Sequence, residues 1–257
     1  MATTKQKIIL KIGSSTLTRG TDQISRGKIE DLARQILALQ DRYDLILVTS
    51  GAIATAKQFM QLSGTNPIAV KQAMAAIGQP LLLKIYQEVF SDFGLKVAQC
   101  LLNYRDFDNE SSRTNIVNTI NILLENQYLP VINENDTVAT EEIKFGDNDK
   151  LAALTAALLK VELLVLASDI DGLYTNDPKS DPDAVLIEQV RSVEQVKHLA
   201  SDSTSAHGTG GMRSKLIAAE ICQQHAVEMW IVNGAIEGFA QKAMAKEIPF
   251  TRFTSSE

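Results

Sequence analysis

Short apolar runs of strand length alternate with longer helix-patterned segments along this chain, and no other feature narrows its possible folds so far. The runs cover residues 8–12, 45–48, 97–102, 130–132, 163–166 and 227–232. Most are continuously apolar, which suits strands covered on both faces. Between them lie helix patterns such as residues 29–39, where Ile29, Leu32, Ala33 and Ile36 share one face. Others are expected over 79–90, 114–125 and 148–159. This alternation predicts an α/β protein with a mostly parallel sheet between helices. At 257 residues, with no internal repeat, low-complexity tract or evident linker, one compact domain with two lobes is expected.

Composition removes several function classes. Net charge is −6, which disfavours a broad nucleic-acid surface, so any phosphate site must be local. Cys100 and Cys222 are isolated and suit packing roles in a reducing compartment. The N-terminal residues lead into only about five strand-like positions, too few for the apolar core of a signal peptide. The apolar stretch 151–167 is interrupted by Lys160 and Glu162, so it reads as a helix and a strand instead of a membrane span. A cytoplasmic protein with neither membrane nor nucleic-acid partners is expected.

In open α/β sheets ligands sit beyond the carboxyl ends of the strands. Here those ends are polar: Lys11 with Gly13, Ser14 and Ser15; Thr49-Ser50-Gly51; Asn133-Glu134-Asn135-Asp136; and Ser168-Asp169. The strongest phosphate signal comes later, in His207-Gly208-Thr209-Gly210-Gly211-Met212-Arg213-Ser214-Lys215, which runs straight into a helix pattern. Glycines let backbone amides approach an anion, and the following helix adds orphan N–H groups and a positive dipole end. Lys215 brings a full charge one turn in. The alternative is a flexible glycine linker before a helix.

Lys11 is unusual in an otherwise apolar strand, because a buried ammonium needs an anionic partner. It is either a functional cation or a snorkelling edge-strand lysine. Thr49-Ser50-Gly51 fits a carboxylate or phosphate rest as well as a simple capped helix. The acidic region around Glu141, Glu142, Asp147 and Asp149 reads either as a solvated face or as carboxylates that orient lysines or a substrate amine. Asp169 and Asp171 lack calcium-loop spacing, and Asp171-Gly172 and Asp177-Pro178 are ordinary turn chemistry. His198, His207 and His225 have no metal spacing, so no protein-held metal is expected, and the G-x-x-x-x-G-K-[ST] phosphate loop is absent.

Taken together, several segments resemble the amino-acid kinase family, and within it the branch that phosphorylates the γ-carboxylate of L-glutamate. They are Leu10-Lys11-Ile12-Gly13-Ser14-Ser15, Val48-Thr49-Ser50-Gly51-Ala52-Ile53-Ala54, Pro130-Val131-Ile132-Asn133-Glu134-Asn135-Asp136 and Lys144-Phe145-Gly146-Asp147-Asn148-Asp149. Gly172-Leu173-Tyr174-Thr175-Asn176-Asp177-Pro178 and Gly208-Thr209-Gly210-Gly211-Met212 complete the match, in order, along essentially the whole chain.

The resemblance implies a three-layer αβα sandwich with a mainly parallel eight-stranded sheet. It implies an amino-acid lobe over about residues 1–160 and an ATP lobe over about 161–257. By the same resemblance Ser50, Gly51, Asn135, Asp136 and Asn148 bind glutamate. Lys11, Gly13, Ser14, Ser168, Asp169, Tyr174, Asp177, Thr209, Gly210, Gly211, Met212, Arg213, Ser214 and Lys215 bind ATP, with Mg²⁺. Lys11, Asp149 and Lys215 are the implied catalytic set, Asp149 holding the two lysines. Implied partners are L-proline as feedback inhibitor, glutamate-5-semialdehyde dehydrogenase and further copies in a dimer or tetramer. Many members add a C-terminal PUA domain, for which this chain has no room before Glu257, so a short form is expected. Ser168 and Ser214 stand where threonine is common, which keeps the hydroxyl. N-acetylglutamate, aspartate or nucleoside-monophosphate kinases, or a non-catalytic sensor, are the competing readings.

Overall fold

The computed structural model describes residues 5–18, 21, 23–139, 148–200 and 211–254. Its strands are β1 (Gln6–Ile12), β2 (Tyr43–Thr49), β3 (Lys96–Leu102), β4 (Tyr128–Glu134), β5 (Leu163–Ser168), β6 (Gln189–Val190), β7 (Glu228–Asn233) and β8 (Phe250–Phe253). They form one eight-stranded sheet in the order β3-β4-β2-β1-β5-β7-β8-β6. Pairing is parallel from β3 to β7, turns antiparallel between β7 and β8, and is parallel again between β8 and β6.

The helices are α1 (Ser14–Thr18), α2 (Arg26–Leu39), α3 (Ala52–Lys57), α4 (Pro67–Ser91), α5 (Glu110–Glu125), α6 (Asp149–Leu159), α7 (Met212–Gln224) and α8 (Phe239–Met244). Strand side chains alternate between two faces, and the core divides accordingly. Ile9, Val48, Ile132, Leu164, Leu166 and Ile231 pack with residues of α5, α6 and α7. Ile8, Leu10, Ile12, Leu47, Val131 and Val165 pack with α2, α4 and α8. The result is a three-layer αβα sandwich, and the continuous apolar runs are strands covered on both sides. Because Lys11 shares its face with Ile9, it points into the α5–α6–α7 layer.

Two elements exceed their sequence signal. Helix α4 starts at Pro67, twelve residues before the periodic pattern, because Asn66 caps it by accepting from the Ile68 and Ala69 N–H groups at 3.0 and 3.3 Å. Strands β6 and β8 are short, with no continuous apolar run to mark them. No helix among the described residues is long and apolar enough to cross a membrane.

Candidate active site

Strand β1 lies between β2 and β5, with Lys11 opposite Val48 and Leu166. Above its carboxyl end the first turns of α6 and α7 meet. Asp149, the first residue of α6, is 0% exposed, and its Oδ1 lies 2.5 Å from Lys11 Nζ. Its Oδ2 lies 3.1 Å from Lys215 Nζ, on the first turn of α7. The Ser214 hydroxyl lies 3.1 Å from the same oxygen and 3.0 Å from the Gly211 carbonyl. Lys11 and Lys215 are 3% and 8% exposed, so three charged groups sit together out of solvent.

Burial alone would raise the Asp149 pKa, but the Lys11 and Lys215 ammonium groups overcome it and hold the carboxyl well below the usual carboxylate range. The position at the start of α6 also favours a negative charge. Two cations on one anion leave the triad with an excess positive charge beside the N-terminus of α7. Gly211 caps that helix without a side-chain bond, so its first-turn amides remain directed at the same region. Such a cluster suits a bound phosphoryl group.

The ends of β2 and β4 form the second part of the site. Asn148 is the residue before α6, yet its side chain makes no helix cap. It reaches across instead, Nδ2 donating to the Thr49 carbonyl and to Asn133 Oδ1, both at 2.6 Å. Asn133 Nδ2 donates to Gln79 Oε1 at 2.7 Å. The Thr49 hydroxyl and the Tyr86 phenol share a 2.8 Å bond, and burial pushes the Tyr86 pKa up, which keeps it protonated. Ser50 Oγ and Asn148 Oδ1 are buried with no hydrogen-bond partner among the described residues. Gly51 has φ +110°, a conformation that favours glycine, and turns the chain into α3. Helix α4 supports this turn closely: a Cβ on Gly78 would lie 1.8 Å from the Ala52 carbonyl oxygen.

The other predicted positions spread over the same edge. Asn135 and Asp136 form the turn after β4, both partly exposed. Ser168 is buried at the end of β5, its Oγ 3.3 Å from Asp169 Oδ1, while Asp169 is exposed. Tyr174 donates to Asp171 at 3.1 Å, and Asn233 Nδ2 donates to the same carboxylate at 2.9 Å. Asp177 is exposed and its Oδ1 accepts from the Lys179 N–H, a local turn bond. Gly13 and Ser14 join β1 to α1 beside Lys11. Met212 and Arg213 open α7, Arg213 exposed. Thr209 and Gly210, with Asp147, lie outside the described residues.

Sequence reasoning did not single out Gln79, Tyr86 or Asn233, and it assigned Asp171 to turn chemistry. Gln79 and Tyr86 sit within an apolar helix pattern, where periodicity marks the packed face and says nothing of which polar groups are enclosed. Asn133 was visible only as part of a polar strand end.

The amino acid kinase family model matches residues 6–233. Glutamate 5-kinase 2 of Pseudoalteromonas translucida is 40% identical over 250 residues, 96% of this chain and 68% of that protein. Glutamate 5-kinase of Clostridium acetobutylicum is 42% identical over 231 residues, 89% of this chain and 86% of its own. Among solved structures, a UMP kinase from Ureaplasma parvum superposes with a TM-score of 0.67 at 18% identity, covering 98% of this chain and all of that one. A carbamate kinase from Giardia lamblia bound to AMP-PNP gives 0.68 at 16% identity, covering 98% and 99%. The sheet, its strand-end chemistry and these likenesses agree: the chain belongs to the amino acid kinase family.

Proposed function

We propose that the chain transfers the γ-phosphoryl group of ATP to the γ-carboxylate of L-glutamate, giving L-glutamyl 5-phosphate and ADP, the first step of proline biosynthesis from glutamate. The observation that carries this reading is the Lys11–Asp149–Lys215 cluster at the strand ends, in a chain about 40% identical to glutamate 5-kinases.

A carboxylate oxygen attacks the γ-phosphorus, the bond to the β–γ bridging oxygen breaks, and that oxygen leaves on ADP with the electron pair. The acceptor, with a pKa of about 4.3, is already ionised at neutral pH, so no proton needs removing. Two anions must instead be brought together, and alignment with charge neutralisation supplies the catalysis. Lys11 and Lys215 face the transferring group, and Asp149 fixes the distance between them. Ser14, residues 209–215, Ser168 and Asp169 hold the nucleotide. Ser50, Asp136 and Asn148 hold glutamate, with the amino-acid lobe over about residues 1–160 and the ATP lobe over about 161–257. Among the described residues no three His, Cys, Asp or Glu side chains cluster as a metal site. Mg²⁺ bound with ATP would neutralise part of the phosphate charge during transfer.

The same reading places the enzyme in the cytoplasm as a homo-oligomer and makes L-proline a feedback inhibitor acting through residues 133–146. It makes glutamate-5-semialdehyde dehydrogenase the consumer of the acyl phosphate. The deciding experiment is ADP release by the purified chain with ATP, Mg²⁺ and each candidate acceptor. Release that depends on L-glutamate supports the reading. Release with N-acetylglutamate, aspartate or UMP in its place, or with none, overturns it.

A further inference from the structure

A chain of side-chain amides runs from α4 to the start of α6, and two backbone groups fix its polarity. The Glu134 N–H can only donate, so the Asn133 atom facing it at 2.9 Å is the carbonyl oxygen. The Thr49 carbonyl can only accept, so the Asn148 atom facing it at 2.6 Å is the amide nitrogen. Asn133 Oδ1 also receives Asn148 Nδ2, which leaves Asn133 Nδ2 to donate to Gln79 Oε1. Gln79 is thus the acceptor that anchors Asn133 beside Asn148. The last member of this run of amides, Asn148 Oδ1, is buried and has no partner among the described residues. Next to the Thr49 carbonyl, the Ser50 hydroxyl is in the same condition.

A buried polar atom without a partner is costly, and a ligand that satisfies it recovers that cost. Asn148 Oδ1 can only accept, which suits an ammonium, whereas the Ser50 hydroxyl can donate to a carboxylate. Together they match the two charges of an α-amino acid head group. We infer that Gln79 is a positioning residue that sets the preference for a free α-amine: through Asn133 it holds the Asn148 amide where its carbonyl oxygen faces the substrate. This rests on the proposal that the chain phosphorylates glutamate. With Gln79 unable to accept, Asn133 loses its anchor and can leave Asn148, whose amide is then held by the Thr49 carbonyl alone and can swing its Oδ1 off the substrate ammonium.

The test compares wild type with Gln79→Met, which keeps length but not the acceptor, and Gln79→Glu, which keeps an acceptor. Steady-state KM is measured for L-glutamate and for ATP, together with the inhibition constant of glutarate, which has the same carbon chain without the amine. Gln79→Met should raise KM for glutamate about tenfold or more while KM for ATP and the glutarate constant stay within about twofold. Gln79→Glu should recover most of the glutamate affinity. Equal weakening of glutamate and glutarate would reveal mere loosening of the pocket and overturn the inference, as would an unchanged glutamate KM. If Gln79→Met does not fold, Gln79→Glu decides alone: loss of the glutamate-over-glutarate preference in that variant refutes the assignment. Wild type without glutamate-dependent ADP release brings down the proposed function and this inference with it; an active wild type with a normal Gln79→Met brings down this inference only.

Discussion

Asp149 joins two ammonium groups that are 204 positions apart in sequence (215 − 11), and its chemistry governs what single substitutions do. Removing one partner of a buried ion pair costs about 3–5 kcal/mol, because an uncompensated charge stays inside. Asp149→Asn should therefore destabilise the protein by about that amount in denaturant titrations. The pH dependence follows from the direction of its shift. An unfolded aspartate titrates near 3.9 and the folded one lower, so the stabilisation is complete above about pH 4 and lost as pH falls through the folded value. Acid unfolding curves of Asp149→Asn should lack this component of the wild-type slope. Lys215→Ala should lower kcat on the order of a hundredfold, since its charge matters most during transfer. A near-normal kcat in the folded variant would remove Lys215 from the site. Both lysines were legible as residues, one a lysine in an apolar strand and the other following a glycine loop. Their shared carboxylate was not, because nothing in one dimension says which acid of the 141–149 region reaches them; the family resemblance alone pointed to Asp149.

At the scale of elements, α4 is the part least visible in advance and the one that supports the turn after β2. Its periodic pattern announces the face formed by Leu82, Tyr86, Val89 and Phe90, but the first three turns carry mixed residues and depend on the Asn66 cap. Gly78 lets this helix touch the backbone at the start of α3. Gly78→Ala forces the two apart, which should cost about 1–3 kcal/mol, a fall of several degrees in Tm. Because Ala52 directly follows Ser50 and Gly51, KM for glutamate should rise as well; an unaltered KM with a lowered Tm would confine Gly78 to packing. Helix α7 offers a second check. Cys222 lies in its last turn, fully buried, and burial pushes its thiol up to about 12. A thiol-specific reagent at neutral pH should modify Cys222 only when the protein unfolds, whereas rapid labelling of the native protein would show that α7 opens locally.

Across the whole molecule the sheet is continuous, and β1 bridges what the sequence presents as two lobes, pairing with β2 on one side and β5 on the other. The central strands were readable because they are buried on both faces and carry long apolar runs; β8 and the edge strand β6 are too short to carry such a signature. A shared sheet makes the halves unfold as one. Fluorescence of Trp230, the single tryptophan, on β7, and far-UV circular dichroism should report one coincident thermal transition. Saturating MgATP should move both signals upward together, by about 2.7 kcal/mol of stabilisation at a hundred times its Kd. Separate transitions would mean that the lobes are energetically independent.

The placement of Lys11 near the start of the chain and of Lys215 in its last fifth has a consequence for synthesis. Translation must pass Lys215, and α7 must fold, before these side chains can meet around Asp149. A nascent chain that stops short of α7 thus has Asp149 paired with Lys11 alone, and the second cation joins only when that helix folds.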